Sequence, residues 1–243
     1  MTRVAIAAVL LGACSFSATP SNSAAPDAAS VAVDDASTYF VGCHISDPSL
    51  RLCLDFEDPM LAPVVKDGST FRHDATTLNL VPMTRAGEQA AMFSSSSSAT
   101  IPATPDFGPP ALSLEAWMKP DTITATSWAI YDAQHYALGI SGSSITCGVG
   151  NKIVSVDATP YANQWVHVAC TSTAMTLTLF VNGNVVDCNS GTKLMGTNSL
   201  GIGVGLSGGI DNVRLFAAAL PAAAICTHAG QTGCTAAAAC PRE

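Results

Sequence analysis

Charged residues make up only 12% of this 243-residue chain, and aromatic residues only 6%. Lys and Arg together number 10, against 18 Asp and Glu. This balance excludes a nucleic-acid surface, because neutralising phosphates takes clustered Lys and Arg. It equally excludes a basic patch for anionic lipid. Glutamate is rarer still, confined to Glu57, Glu88, Glu115 and Glu243. Glycoside hydrolysis usually needs two carboxyl groups about 5–10 Å apart, and Glu115 stands alone on its segment. No Gly-x-Ser-x-Gly elbow marks a serine nucleophile. His73-Asp74 and His167 therefore have no evident serine to join. The glycine run Gly201–Gly205 lacks the Lys-Ser/Thr and the following helix of a phosphate loop. No Cys-x-x-Cys pair or Cys/His cluster has zinc spacing. No apolar run reaches the roughly 20 residues of a membrane-spanning helix.

The N-terminus carries an address. Arg3, the apolar run Val4–Leu11 and the small pair Gly12-Ala13 form a secretory signal over residues 1–13. Cys14 follows directly. Leu10-Leu11-Gly12-Ala13-Cys14 resembles the lipobox of bacterial lipoproteins, in which a peptidase cuts before the cysteine and its thiol carries a diacylglycerol. The resemblance implies that Cys14 is lipidated and that acyl chains anchor the protein to a membrane. Ser15 resembles the signal for an outer-membrane destination, so the expected location is the bacterial cell envelope. Residues 14–38 are rich in Ala, Ser, Pro, Thr and Asp without periodicity. They read as the lipidated cysteine and a flexible tether. Residues 39–243 then form one domain with a cysteine-rich tail.

Nine cysteines are present. Setting Cys14 aside leaves Cys43, Cys53, Cys147, Cys170, Cys188, Cys226, Cys234 and Cys240, an even set that reads as four disulfides in an exported chain. Eight cysteines allow 105 pairings. The expected ones are Cys43–Cys53 and Cys234–Cys240 as local loops and Cys147–Cys170 between neighbouring strands, which leaves Cys188–Cys226. His44 and His228 sit in cysteine-flanked loops and are expected in solvent.

From residue 51 onward, short runs alternate apolar and polar. In 112–118 Leu112, Leu114, Ala116 and Met118 share one face, with Ser113, Glu115 and Trp117 on the other. In 165–171 Val166, Val168 and Cys170 oppose Trp165, His167 and Ala169. Asn182-Gly183 between apolar runs is a hairpin signal. About a dozen such runs with little helix predict an all-β protein of two antiparallel sheets. Residues 221–226 suit a short helical turn with Pro at its start.

Four segments also carry a resemblance. Leu112–Pro120 (LSLEAWMKP), Trp165–Ala169 (WVHVA), Leu177–Gly183 (LTLFVNG), and Ile210–Phe216 (IDNVRLF) with Ala219-Leu220-Pro221 and Ile225 resemble, in order and spacing, motifs of laminin-G-like, concanavalin A-like domains. The resemblance implies a two-sheet jelly roll, here braced by disulfides, and in this family Trp117 and Trp165 occupy core positions. In related jelly rolls the Asp of the closing strand lies beside the first strand, where acids and carbonyls bind structural calcium. Asp211, Glu57 and Asp55 are the candidate ligands, since calcium takes oxygen donors. The alternative is that Asp211 bonds backbone amides or Arg214. For a ligand, Trp128, Tyr131 and Tyr136 are the candidate binding residues; with His135 they make the segment aromatic, and Asp132 and Gln134 offer hydrogen bonds. Tyr161 sits in a Pro-containing loop. The function implied is non-catalytic binding of a glycan or an extracellular matrix protein at the cell surface. A structural or protein-interaction module of the envelope is the alternative, and a diverged glycosidase comes last.

Overall fold

The computed structural model describes Cys43, residues 47–191 and residues 196–235. All of them belong to the unit Ala36–Glu243. The signal 1–13, Cys14, the tether 14–38, His44 and Cys240 lie outside the described residues.

Two eight-stranded antiparallel sheets pack face to face in a jelly-roll sandwich. The first runs β14 (Asn184–Ser190), β13 (Thr176–Val181), β12 (Val166–Ser172), β7 (Leu112–Pro120), β16 (Gly208–Phe216), β5 (Glu88–Phe93) and β4 (Val81–Arg85), with β1 (Leu50–Leu54) also paired to β16. The second runs β11 (Lys152–Asp157), β10 (Ser144–Val149), β9 (Tyr136–Ser141), β8 (Ser127–Asp132), β15 (Leu200–Val204), β6 (Ser98–Ile101), β3 (Ala75–Leu78) and β2 (Val64–Val65). Period-2 alternation sets the faces. Leu112, Leu114, Ala116 and Met118 of β7 and Val166, Val168 and Cys170 of β12 join one core with Ile130, Leu138 and Ile140 from the second sheet. Asn182 and Gly183 both take positive φ, 48° and 77°, as a two-residue type I′ hairpin requires.

Cys147 of β10 bonds Cys170 of β12, so this disulfide ties the two sheets through the core. Cys43 bonds Cys53. The pairings Cys188–Cys226 and Cys234–Cys240 do not form. The helix α1 (Ala222–His228) turns the chain back so that Cys226 meets Cys234, with Cα atoms 5.8 Å apart. Cys188 is itself disulfide-bonded. The folded-back segment rests on the Asn182-Gly183 turn, where a Cβ on Gly183 would stand 2.7 Å from the Cys234 sulfur.

The outer face of the first sheet is a second buried layer. Ile225 of α1 packs on Ala169 and Phe180. The cysteine-flanked position of His228 predicts solvent, but its Nδ1 stands 2.9 Å from Oε2 of the buried Glu115. Glu115 points outward from β7 and would be a stranded charge without that lid. Nη1 of Arg214 lies 3.5 Å from the same carboxylate, and Nε2 of His167 lies 3.8 Å away, an electrostatic rather than a hydrogen-bonding distance. Burial alone would raise the Glu115 pKa, but the two imidazoles outweigh it and hold the carboxyl at about 2. Trp117 and Trp165 are not core residues. Both lie half-buried on this outer face, Trp117 edge-on to His167 and Trp165 against Gly209. The reason is register: Trp117 pairs with His167 and Asp211, opposite in facing to Met118.

A carboxyl whose folded pKa is depressed stabilises the fold above its unfolded pKa and loses that contribution as pH falls through the folded value. For Glu115 the window runs from about 4.5 down to about 2. Thermal melts across that range should show a steeper decline in wild type than in Glu115→Ala, in which Asp74 and Asp157, also held below the usual carboxylate range by hydrogen bonds, still titrate. At neutral pH the same variant, which leaves Arg214 buried and unpaired, should lose roughly 3–5 kcal/mol. A flat wild-type profile would exclude the role given to Glu115.

Candidate functional site

The outer face of the second sheet is open, and a β-bulge shapes it. Strict alternation would send Trp128 and Tyr131 to opposite faces. The pairing of β8 with β9 slips by one residue between Trp128 and Ile130, so the extra residue puts both rings on the outer face. The rings lie 5.9 Å apart and nearly parallel, at 12°. The bulge needs Gly139 beneath it, because a Cβ there would collide with the backbone of Ser127 and Trp128.

Register carries the site across the sheet. Tyr131 faces Ala137, then Gly148, then Ile153. Trp128 faces Gly139, then Thr146, then Ser155. The two aromatics on β8 thus form one bank of a groove, Ile153 forms the other, and small residues make the floor. The groove encloses about 340 Å³, within the usual range for small-molecule sites. Gln134 and His135 close one end and Ser141 lines the other.

The sequence candidates divide. Trp128 and Tyr131 come together, and Gln134 joins them. Asp132 is buried and structural: it accepts from Asn198 N and Nδ2 and pairs with His135 Nδ1 at 2.9 Å. Tyr136 borders the groove, but its ring is buried in the core, 3% exposed, and burial pushes its hydroxyl pKa up. It pairs with Asp132 and Val149, on the inward-facing row. Tyr161 packs partly buried against the core. Among the described residues lining the groove, Asp132 is the one carboxylate, so a two-carboxylate hydrolytic pair is not assembled there.

The proposed calcium ligands lie elsewhere, at a junction in the first sheet. There the edge partner of β16 changes from β5 to β1, and a bulge between Asp211 and Arg214 gives Asn212 a φ of 49°. Asp211 is neither capped by amides alone nor paired with Arg214. Its Oδ2 accepts from Arg85 Nε at 2.6 Å, and the Arg85 guanidinium also stands over the Trp117 ring, 4.5 Å from its centroid. Burial raises the Asp211 carboxyl to about 6, and the nearby Glu57 charge adds to this. Burial likewise raises Glu57. Oδ1 of Asp211 and Oε1 of Glu57 are buried without a hydrogen-bond partner. Two such oxygens do not make a calcium site, which takes six to eight. The Asp55 carboxylate is turned back to Glu57 N at 3.4 Å. Among the described residues no group of three or more His, Cys, Asp or Glu is arranged to hold a metal. The residues fit a guanidinium as the resident cation and do not fit calcium.

Comparison with known proteins names the fold. A laminin G-type sequence profile, described as the concanavalin A-like lectin/glucanases superfamily, matches residues 93–226. The chain belongs to this superfamily. No curated protein matches the sequence. Among solved structures, the receptor-binding domain of botulinum neurotoxin C/D mosaic serotype superposes with a TM-score of 0.60 at 15% identity, covering 74% of this chain and 51% of that one. The binding domain of Paraclostridial Mosquitocidal Protein 1 gives 0.61 at 14% identity, covering 74% and 52%. This chain therefore spans about half the length of those toxin domains. Domain 4 of AbnA, a GH43 extracellular arabinanase from Geobacillus stearothermophilus solved with arabinotriose, gives 0.59 at 18% identity, covering 74% of this chain and 98% of that one. At these identities the likeness is one of fold.

If Arg85 is the resident cation, neither calcium nor a chelator should move the melting temperature. Arg85→Gln should instead lower stability by roughly 3 kcal/mol, by leaving Asp211 buried and unpaired. A calcium-dependent rise in the wild-type melting temperature would overturn the assignment.

Proposed function

We propose that the protein is a non-catalytic, glycan-binding module displayed on the bacterial cell envelope, tethered by a lipid on Cys14. The observation that carries this reading is the parallel Trp128–Tyr131 pair standing beside a floor of small residues. Aromatic faces present a large apolar area at little entropic cost and suit the apolar faces of sugar rings. Polar groups at the groove ends, Gln134 and Ser141, supply directional hydrogen bonds to hydroxyls. Two structural neighbours lend support: one was solved with arabinotriose, and a botulinum toxin DC binding domain was solved in complex with SialylT. The single carboxylate of the groove supports binding over hydrolysis. The Cys14 anchor rests on its place after a signal h-region and on the even number of cysteines that remains without it.

The deciding experiment is a glycan and polysaccharide binding screen with the oxidised protein. Trp128→Ala and Tyr131→Ala should each weaken binding by about tenfold or more, as hot-spot aromatics do. Tyr136→Phe, which alters a buried ring outside the stacking pair, should leave affinity unchanged. Absence of binding across the screen would move the reading to a protein partner. Metabolic labelling with a fatty acid, lost in Cys14→Ala, tests the anchor separately.

A further inference from the structure

Resting on the glycan reading, we infer that the groove takes a single neutral, unbranched glycan strand lying along β9 and β10, and that Gly148 sets its clearance. β8 and β11 are three strand spacings apart, about 14 Å at ~4.8 Å each. Trp128 and Tyr131 project from one side and Ile153, 61% exposed, from the other. The lane between them is one sugar wide, and it runs parallel to the strands because its floor is two adjacent strands.

The outward glycines of β9 and β10, Gly139 and Gly148, have different causes. Gly139 is demanded by the fold, since backbone of β8 occupies the place of a side chain. Gly148 is not. A Cβ there would meet only Lys152 O at 3.8 Å and Ile153 Cγ1 at 3.9 Å, ordinary contacts, and its φ is not left-handed. Glycine weakens a strand interior, and an outward strand position with this backbone favours a β-branched or aromatic residue. No packing requirement within the protein accounts for glycine at 148. An empty lane for a ligand does.

Charge narrows the ligand class. Among the described residues lining the groove there is no Lys or Arg. The only ionisable pair, Asp132 and His135, is satisfied internally. Beside the Ile153 bank, Asp187 Oδ2 accepts from Ser155 N and adds a negative charge. The whole chain carries a formal charge of −8. A sialylated, uronic or sulfated sugar therefore meets no Lys or Arg among the described lining residues and a net negative chain, whereas neutral hydroxyls find Gln134, Ser141 and Thr146.

The test is calorimetric titration of the full oxidised protein at low salt, where electrostatics are least screened. Arabinotriose, xylotetraose, cellotetraose and lactose are compared with sialyllactose and trigalacturonate. A neutral member should bind, with the acidic members weaker by at least about tenfold. Gly148→Phe should keep the melting temperature of the wild type and abolish binding. Equal or tighter binding of an acidic sugar overturns the inference. Glycan binding that survives both Gly148→Phe and Trp128→Ala overturns the placement in this groove while leaving glycan binding in force. No binding by any neutral sugar of this set overturns this inference, while the proposed function falls only if the wider glycan screen is also blank.

Discussion

All nine residues of β16 are buried, and the strand is hydrogen-bonded along both edges. On one side it meets β7. On the other it meets β5 first and β1 after the bulge. The chain's early and late segments are thereby joined in one strand pairing, and the register of the first sheet follows from it. A slip of one residue would turn Ile210, Val213 and Leu215 out of the core. The same slip would turn Asp211 and Arg214 inward. Such buried charges are weak evidence for net stability, but removing one partner leaves an uncompensated ion. The pairs Arg85–Asp211 and Arg214–Glu115 therefore penalise wrong registers more than they stabilise the right one.

This constraint divides the labour of the two sheets. Outward positions of β7, β12 and β16 hold Glu115, His167, Asp211 and Arg214, which water does not reach. They demand cover and internal partners, and α1, His228 and Arg85 supply them. That face is spent on holding the fold. The second sheet bears no comparable row of buried charges on its outer face. On β9 and β10 its outward residues include Ala137, Gly139, Thr146 and Gly148, which carry no charge and need no lid. That leaves an uncovered face with two aromatics at its side.

Local patterns carried much of this into view from the sequence. The alternation in Leu112–Met118 and in Val166–Cys170 placed the core faces, and Asn182-Gly183 placed a hairpin. The segment 127–136 was legible as the aromatic concentration it is. Long-range partners were not legible. Arg85 and Asp211 are 126 residues apart, and Glu115 and His228 are 113 apart. Nothing in their neighbourhoods distinguishes these acids from solvated ones or from metal ligands. The Cys226–Cys234 pairing depends on where α1 ends, a boundary that sequence fixes poorly. Proximity in sequence groups Tyr136 with Trp128 and Tyr131, but it sits past the turn, on an inward-facing row.

The bulge in β8 links these levels. Alternation alone assigns Trp128 the facing of Ile130 and gives Tyr131 the other face. Without the slip one ring would be core and the other solitary, and no stacking bank would exist. Bulges are accommodated where the neighbouring strand permits close approach, and Gly139 is that permission. Gly139 thus shapes the outer face at one remove, by letting β8 bend. Gly148 leaves that face without a side chain between Ala137 and Ile153. The two glycines thus answer to different constraints: Gly139 to the backbone of β8, which leaves no room for a Cβ, and Gly148 to no packing contact within the protein.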